Sequence, residues 1–224
     1  MTLTFRIVNT TIKGLTHVLC RIDDTQLSLV PGRGPLILVA NHINFLEVPV
    51  VFTHLQPRPV TGFAKSETWD NRAMAYLFNL WGGIPLKRGG ADTAAIHLAL
   101  EALMNGKIVA VAPEGTRSGN GQLQRGYPGI VTLALRSGAP LLPMVYYGSE
   151  RFRSNIVRLR RTDFQIRVGR PFYVHAADGK AIRQVRQAIT DEIMYQLAAL
   201  LPATYRGVYA NLDAATQHYL RFPS

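Results

Sequence analysis

The sequence predicts an α/β fold: a single domain with a central, mostly parallel mixed sheet flanked by helices. Short apolar runs alternate along the chain with longer segments of helical periodicity, which is typical of this class. The length of 224 residues is enough for one sizeable core. An apolar content of 47% with 17% charged residues excludes a disordered chain.

Six apolar runs predict the strands of the sheet, at 36–40, 60–64, 84–88, 107–112, 141–147 and 164–168. Four segments with apolar residues at helical spacing predict helices, at 71–81, 92–106, 128–138 and 178–201. Gly106 and Gly138 are good C-terminal stops for the second and third helices, and Pro202 ends the fourth.

Residues 1–22 predict a basic amphipathic helix that precedes the main domain at 23–224. The apolar positions are Phe5, Val8, Ile12, Leu15 and Leu19, and the polar side carries Arg6, Asn9, Lys13 and His17. Such a helix can lie in a membrane interface or dock on the protein's own core, and the pattern leaves both open. No apolar run approaches the roughly 20 residues of a spanning helix, and no secretory signal is evident. We therefore expect a cytoplasmic protein, peripheral on the membrane.

The net charge of +11 favours anionic partners, namely nucleic acid, phospholipid head groups or phosphorylated small molecules. The single cysteine, Cys20, excludes an intramolecular disulfide and a multi-cysteine zinc site. Five histidines (17, 54, 97, 175 and 218) show no metal-ligand spacing, so the sequence predicts no metal site. The nucleophile elbow of serine hydrolases and the glycine-rich phosphate loops are absent.

Polar clusters follow four of the predicted strands or close them, at 41–47, 63–67, 85–90 and 112–118. Open α/β sheets bind ligands beyond the carboxyl ends of their strands. A basic residue after a strand is usually a solvated loop residue, but four clusters at equivalent positions indicate a shared site.

These clusters resemble the motifs of the glycerolipid acyltransferases, a family that includes 1-acylglycerol-3-phosphate acyltransferase. Asn41, His42 and Glu47 match its N-H-x-x-x-x-D motif, with glutamate in place of aspartate. "GIPLKR", ending in Arg88, resembles the second motif, and "EGTR" at 114–117 is the third without change. Order and spacing agree from about residue 36 to 147. The resemblance implies the fold of the glycerol-3-phosphate acyltransferases.

The resemblance implies that His42 is a general base and that Glu47 orients its ring. A histidine is suited to removing a hydroxyl proton at neutral pH, and a carboxylate on its other nitrogen fixes the tautomer. Glutamate is one methylene longer than the usual aspartate, which leaves the hydrogen bond to be shown. A structural alternative is that Glu47 caps a turn before Pro49.

The family's acceptor carries a phosphate, for which the resemblance implies three cationic ligands, Arg117, Lys65 and Arg88. The guanidinium of Arg117 suits bidentate phosphate binding. For Lys65 and Arg88 a solvated surface position explains the residue equally well. Supporting roles fall to Asn41, Glu114, Gly115 and Thr116, with Glu114 holding the arginine or its loop and Gly115 allowing close backbone approach.

The predicted reaction moves a fatty acyl group from acyl-coenzyme A or an acyl carrier protein to the hydroxyl of a lysophospholipid. The expected acceptor is 1-acylglycerol-3-phosphate. Neither a cofactor nor a covalent acyl-enzyme is expected. Another lysolipid or glycerol-3-phosphate remains an alternative acceptor, and a catalytically silent lipid-binding protein is the alternative from another class. The five arginines of 151–161 have one aromatic neighbour, which favours an anionic membrane surface or an acyl carrier protein over nucleic acid.

Overall fold

A computed structural model describes residues 2–87, 92–176 and 181–223, with the side chains of 181–184 excepted. It confirms the expected α/β fold. The strands are β1 (Cys20–Asp23), β2 (Leu36–Ala40), β3 (Val60–Lys65), β4 (Ile84–Leu86), β5 (Ile108–Val111), β6 (Leu141–Tyr147), β7 (Thr162–Val168), β8 (Tyr173–Val174) and β9 (Leu220–Arg221). The α-helices are α1 (Leu3–Leu19), α2 (Glu47–His54), α3 (Arg72–Leu80), α4 (Thr93–Met104), α5 (Gly129–Ser137), α6 (Phe152–Val157) and α7 (Ala181–Leu200).

The main sheet has seven strands in the order β1-β7-β6-β2-β5-β3-β4. β2 lies at its centre and pairs in parallel with β5 and β6, and β3 and β4 continue the parallel part. β7 is antiparallel to β6, and β1 is parallel to β7, so the sheet is mixed as predicted. Because the parallel strands share one direction, their carboxyl ends lie along one edge of the sheet.

Helices cover both faces of the sheet, and β2 shows why its sequence is apolar without interruption. Ile37 and Val39 pack into one core with α4, α5 and α7, whereas Leu36, Leu38 and Ala40 pack into a second core with α2. Successive side chains of a strand point to opposite faces, so a strand covered on both sides must be apolar at every position.

The N-terminal helix docks on the second core and also leaves an apolar stripe exposed. Phe5, Ile12 and Leu19 are partly buried there, as the periodicity predicts. Two expectations for this helix are wrong. Asn9 is buried because its side chain accepts a hydrogen bond from Trp81 Nε1 at 2.9 Å, and Leu15 is 55% exposed. Among the described residues, no helix is both long and apolar enough to cross a bilayer.

Candidate active site

The candidate site begins where β2 ends, and Asn41 fixes the chain there. Its side-chain amide donates to the carbonyl of Tyr146 at 2.9 Å, while its Oδ1 accepts the N–H of Tyr146 at 2.8 Å. The side chain thus adds one backbone-like pair to the β2–β6 ladder beyond its last register pair, Ala40 and Met144. His42 is held directly past the carboxyl edge of the sheet as a result.

The ring of His42 is bound to the carboxylate of Glu47, with 3.1 Å between Nδ1 and Oε2. A carboxylate only accepts hydrogen bonds, so Nδ1 carries the proton and the lone pair of the neutral ring is on Nε2. The side chain of His42 is 21% exposed, whereas that of Glu47 is 4% exposed. The extra methylene of glutamate does not prevent the contact, and the ring remains open to a substrate.

Glu47 is also the first residue of α2, a position that suits a carboxylate. Asn44 caps the start of the helix, since its Oδ1 accepts the N–H of Leu46 at 2.8 Å and its own N–H donates to Glu47 Oε2 at 3.0 Å. A carboxylate at a helix N-terminus is stabilised by the helix dipole. Pro49 fits in the first turn, where its missing N–H costs no hydrogen bond. Glu47 therefore caps this turn and binds His42 at the same time.

Ser149, which sequence reasoning missed, is the third contact of the Glu47 carboxylate. Its hydroxyl donates to Glu47 Oε1 at 3.2 Å, and its carbonyl accepts from the Asn44 side chain at 2.9 Å. Ser149 is fully buried and lies just beyond β6, after Gly148. The rule that directed attention to the ends of the other strands points to this residue as well.

Glu114 joins the loop that carries His42 to the loop that carries Arg117. Its Oε1 accepts the N–H of His42 and its Oε2 accepts the N–H of Gln124, each at 2.9 Å. The N–H of Ser118 donates to the His42 carbonyl at 2.8 Å, which ties the two loops a second time. The predicted loop-holding role of Glu114 thus corresponds to two named hydrogen bonds.

The remaining positions of "EGTR" form an exposed turn. Gly115 has φ 64°, a left-handed conformation that favours glycine, and its N–H donates to the Ala112 carbonyl at 3.0 Å. Thr116 and Arg117 are exposed beyond this turn. In contrast, Glu114, one residue before the glycine, is buried.

A cavity of about 300 Å³ is lined by Ile43 and Asn44, the two residues after His42, and by Arg117, whereas His42 itself does not line it. Its lining is formed by Ile43, Asn44, Phe45, Arg117, Gly119, Ser149, Glu150, Phe152 and Arg153. The rings of Phe45 and Phe152 meet edge to face at 5.5 Å, so one wall is aromatic and another is cationic. Arg153 was predicted only as one member of a basic segment, and the structure brings it to the same cavity as Arg117.

The other two predicted phosphate ligands are not brought to this cavity. Lys65 is the last residue of β3 and is exposed at the same edge of the sheet, but it does not line the cavity. Arg88 lies outside the described residues, since the strand predicted to 88 is observed as Ile84–Leu86. The phosphate-binding roles of both residues stay predictions.

Burial raises the pKa of the Glu114 carboxyl from 4.5 to about 7, although the N–H groups of Gln124 and His42 oppose this shift. Between these two pH values the folded protein holds a proton that the unfolded chain has released. The free energy of unfolding therefore falls by about 3 kcal/mol as the pH rises through this window. We expect this decrease to disappear in Glu114→Gln, because glutamine does not titrate.

Urea unfolding of both proteins across the window measures this effect, and other titrating groups cancel in the difference between them. Glutamine also loses one acceptor, so Glu114→Gln is expected to be less stable at low pH. A difference between the two proteins that is constant with pH would contradict the raised pKa.

Comparison with known proteins is consistent with this geometry. A model of the acyltransferase family matches residues 21–147, more than half of the chain. The chain is 25% identical over 150 residues to the 1-acyl-sn-glycerol-3-phosphate acyltransferase of Bacillus subtilis. The aligned region covers 66% of this chain and 71% of that protein. A protein of the same name from Limnanthes alba is 32% identical over 129 residues, covering 55% of this chain and 45% of the relative.

Two further similarities concern another acceptor and the fold. The lyso-ornithine lipid O-acyltransferase of Pseudomonas aeruginosa is 28% identical over 123 residues, covering 54% of this chain and 46% of that protein. The chain thus spans less than half of this relative and of the Limnanthes protein. The crystal structure of the 1-acyl-sn-glycerophosphate acyltransferase PlsC from Thermotoga maritima has a TM-score of 0.59 at 20% identity, covering 83% of this chain and 76% of that one. This last similarity shows the fold.

Proposed function

The chain belongs to the acyltransferase family, and we propose that, as an O-acyltransferase, it moves a fatty acyl group from an acyl thioester to the hydroxyl of 1-acylglycerol-3-phosphate. The observation that carries the proposal is the His42–Glu47 pair, which leaves the Nε2 lone pair free and is followed directly in the chain by two residues that line a cavity with Arg117. Hydroxyl deprotonation and phosphate binding can therefore act on one acceptor molecule.

The reaction proceeds by direct transfer between the two substrates. Nε2 of His42 takes the hydroxyl proton as the acceptor oxygen attacks the thioester carbonyl, and Glu47 stabilises the imidazolium that forms. The tetrahedral intermediate collapses by breaking the carbon–sulfur bond. The thiolate leaves and takes up the proton from His42, so the ring returns to its starting state and no acyl-enzyme forms. Coenzyme A and an acyl carrier protein both present such a thioester.

The acceptor is held by two groups of residues that line the cavity. Arg117 and Arg153 bind its phosphate, with guanidinium groups that can each give paired hydrogen bonds. Phe45 and Phe152 contact an acyl chain, which needs an apolar surface. Glu150 also lines the cavity, but its Oε1 accepts the hydroxyl of Tyr205 at 2.8 Å and part of its charge is thereby engaged.

A panel of acceptors tests this assignment by mass spectrometry of the lipid product and by thiol release. It contains 1-acylglycerol-3-phosphate, glycerol-3-phosphate, lyso-ornithine lipid and a neutral monoacylglycerol, each offered with acyl-coenzyme A and with acyl carrier protein. The lyso-ornithine lipid is included because one relative is named for it. We expect the phosphate-bearing lysolipid to be the preferred acceptor. Tight lysolipid binding with no thiol release from any donor would instead support a silent lipid-binding protein.

Arg117→Ala is expected to lower kcat/KM for 1-acylglycerol-3-phosphate by about 10- to 100-fold, because a charge-assisted hydrogen bond is worth roughly 1.5–3 kcal/mol. The value for a neutral monoacylglycerol should change little, since it has no phosphate to bind. Arg136→Ala is the control for loss of an arginine elsewhere, because Arg136 lies in the last turn of α5 and does not line the cavity. An equal loss for both acceptors would contradict phosphate binding by Arg117.

We also propose that the protein works on an anionic membrane surface through α1 and the turn after α6. Leu3, Ile7 and Val18 of α1 are 57–74% exposed. Val157, the last residue of α6, is 83% exposed, and Leu159 of the turn is 95% exposed. Arg161 joins the two regions, since its Nη2 donates to the carbonyls of residues 17 and 20 at 2.6 and 2.7 Å. Apolar side chains among arginines suit insertion between anionic head groups.

Replacement of Val157 and Leu159 by serine is expected to weaken vesicle binding at least tenfold. Full burial of such a side chain is worth roughly 1.5–3 kcal/mol, of which partial insertion recovers a part. Met104→Ser, at an 81% exposed position of α4, is the matched control. Co-sedimentation with vesicles containing phosphatidylglycerol measures the effect. Unchanged binding of the double variant would exclude this turn from the membrane contact.

A further inference from the structure

Three potential metal ligands lie close together at the C-terminal end of α2, whose first residue is Glu47. They are His17 in the last turn of α1, Asp24 just after β1 and His54 at the last position of α2. One ligand atom of each lies within 4.8 Å of the other two, and the two imidazole rings have centroids 5.0 Å apart. The linear sequence conceals this cluster because its members are 7 and 30 residues apart.

The tautomer of His54 leaves a lone pair on a buried nitrogen. The hydroxyl of Thr53 donates to the Pro49 carbonyl at 2.7 Å, so it can only accept from His54 Nδ1, which is 3.0 Å away. Nδ1 therefore carries the proton, and Nε2 carries the lone pair. Only 7% of His54 is exposed, and its Nε2 has no hydrogen-bond partner among the described residues. A buried acceptor without a partner is costly unless something binds it.

The Thr53 contact also has the form that metal sites use. A histidine that binds a metal through one ring nitrogen usually donates its other N–H to an oxygen, which fixes the orientation of the ring. In His54 this second contact is already present. The other nitrogen, Nε2, then carries the lone pair that a metal ligand needs.

The end of α2 adds to the local preference for a cation. His54 is in the last turn of this helix, whose C-terminus carries a partial negative charge. At the end of α1, the carbonyl of His17 accepts a hydrogen bond from the Arg161 guanidinium, a cation that opposes this preference. Asp24 supplies a full negative charge. Lys13 opposes these contributions, as one positive charge one helical turn before His17.

We propose that His17, Asp24 and His54 bind a divalent transition metal ion of the zinc class. Two imidazole nitrogens and one carboxylate oxygen suit Zn²⁺, whereas Mg²⁺ and Ca²⁺ prefer sites made of oxygen ligands. A tetrahedral zinc ion with bonds of about 2 Å separates its ligands by about 3.3 Å, so the atoms need to move inward by about 1.5 Å at most. Water fills the fourth position.

The ion would join α1, the end of β1 and α2 at one point. α2 has eight residues and is therefore about 12 Å long, with Glu47 at its first position and His54 at its last. The metal thus lies about the length of this helix from the carboxylate that orients His42. It fixes the helix that carries Glu47 and holds α1 on the domain, and takes no part in acyl transfer.

Zinc binding by the full chain, after removal of metal with a chelator, tests the proposal. We expect one Zn²⁺ per chain in competition with a chromophoric chelator, an increase in Tm with added Zn²⁺ and none with Mg²⁺. Co²⁺ should give the visible absorption of a tetrahedral nitrogen and oxygen site. His17→Gln and Asp24→Asn should each lower the affinity for zinc by about 100-fold or more, since even loss of an outer contact costs 10- to 100-fold.

His97→Gln is the matched control, because His97 is an exposed histidine of α4 outside the cluster. The affinity for zinc of His97→Gln and of His42→Ala should equal that of the wild type. Both ligand variants are at positions more accessible than His54, and far-UV circular dichroism shows whether they fold. Absence of stoichiometric zinc binding in the wild type, or wild-type affinity in both ligand variants, would overturn the proposal. Either result leaves the acyltransferase proposal standing, because neither measurement uses acyl transfer.

Discussion

His42→Ala is expected to lower kcat for acyl transfer by about 10²–10⁴, the usual contribution of a general base. Without the imidazole, the acceptor hydroxyl must lose its proton to water as it attacks the thioester. KM for the acceptor should change little, because the proposed phosphate and acyl contacts come from Arg117, Arg153 and the aromatic wall of the cavity. Thiol release with saturating acyl donor measures both constants.

The variant is expected to fold, which makes a loss of activity interpretable. The contact between residue 42 and Glu114 uses the main-chain N–H, which alanine retains. Glu47 keeps its hydrogen bonds from Asn44 and Ser149, so its buried carboxylate is not left without partners. His97→Ala, at an exposed position of α4, is the control for loss of a histidine elsewhere. Undiminished turnover in His42→Ala would exclude His42 as the base.

The sequence predicted the parallel part of the fold well because β2 and β6 are buried on both faces and β3, β4 and β5 each begin with a buried apolar residue. Such strands are continuous apolar runs, and all of the parallel strands β2 to β6 were expected close to their observed bounds. The helix α2 was missed because it is short and contains β-branched residues and Pro49, which do not favour a helix interior. β1 was missed because it has four residues and lies at the edge of the sheet, where one exposed arginine interrupts it.

The candidate site was predictable where its parts are local motifs and not where they depend on distant contacts. His42 and Glu47 are five residues apart, so one motif contains both. Ser149 binds Glu47 across 102 residues, and its partner is decided by the β2–β6 pairing rather than by any local pattern. Arg153 reaches the cavity of Arg117 for the same reason, because the segment after β6 lies beside the segment after β2.

Glu47→Gln is expected to lower kcat by about 10³–10⁴ with little change in KM. The carboxylate accepts hydrogen bonds from His42 Nδ1, Asn44 and Ser149. An amide has one oxygen to accept them. When that oxygen takes the place of Oε1, where Ser149 donates at 3.2 Å and Asn44 at 3.3 Å, the NH₂ group takes the place of Oε2 and lies against Nδ1. The ring then relieves the conflict by carrying its proton on Nε2, which removes the lone pair that takes the hydroxyl proton. The loss of an orienting carboxylate in a serine-protease triad has an effect of about 10⁴ for the same reason.

Glu47→Asp separates the role of the charge from that of its position. Aspartate keeps the acceptor atoms but withdraws them by about 1.5 Å, the length of one carbon–carbon bond. From the present 3.1 Å, such a shift breaks the hydrogen bond to Nδ1 unless the start of α2 moves toward His42. The tautomer with a free Nε2 is still the favoured one in Glu47→Asp. We therefore expect kcat to fall by about 10- to 100-fold, a smaller loss than in Glu47→Gln. If Glu47→Gln instead turns over at the wild-type rate, the carboxylate does not set the tautomer, and Glu47 is a helix cap alone.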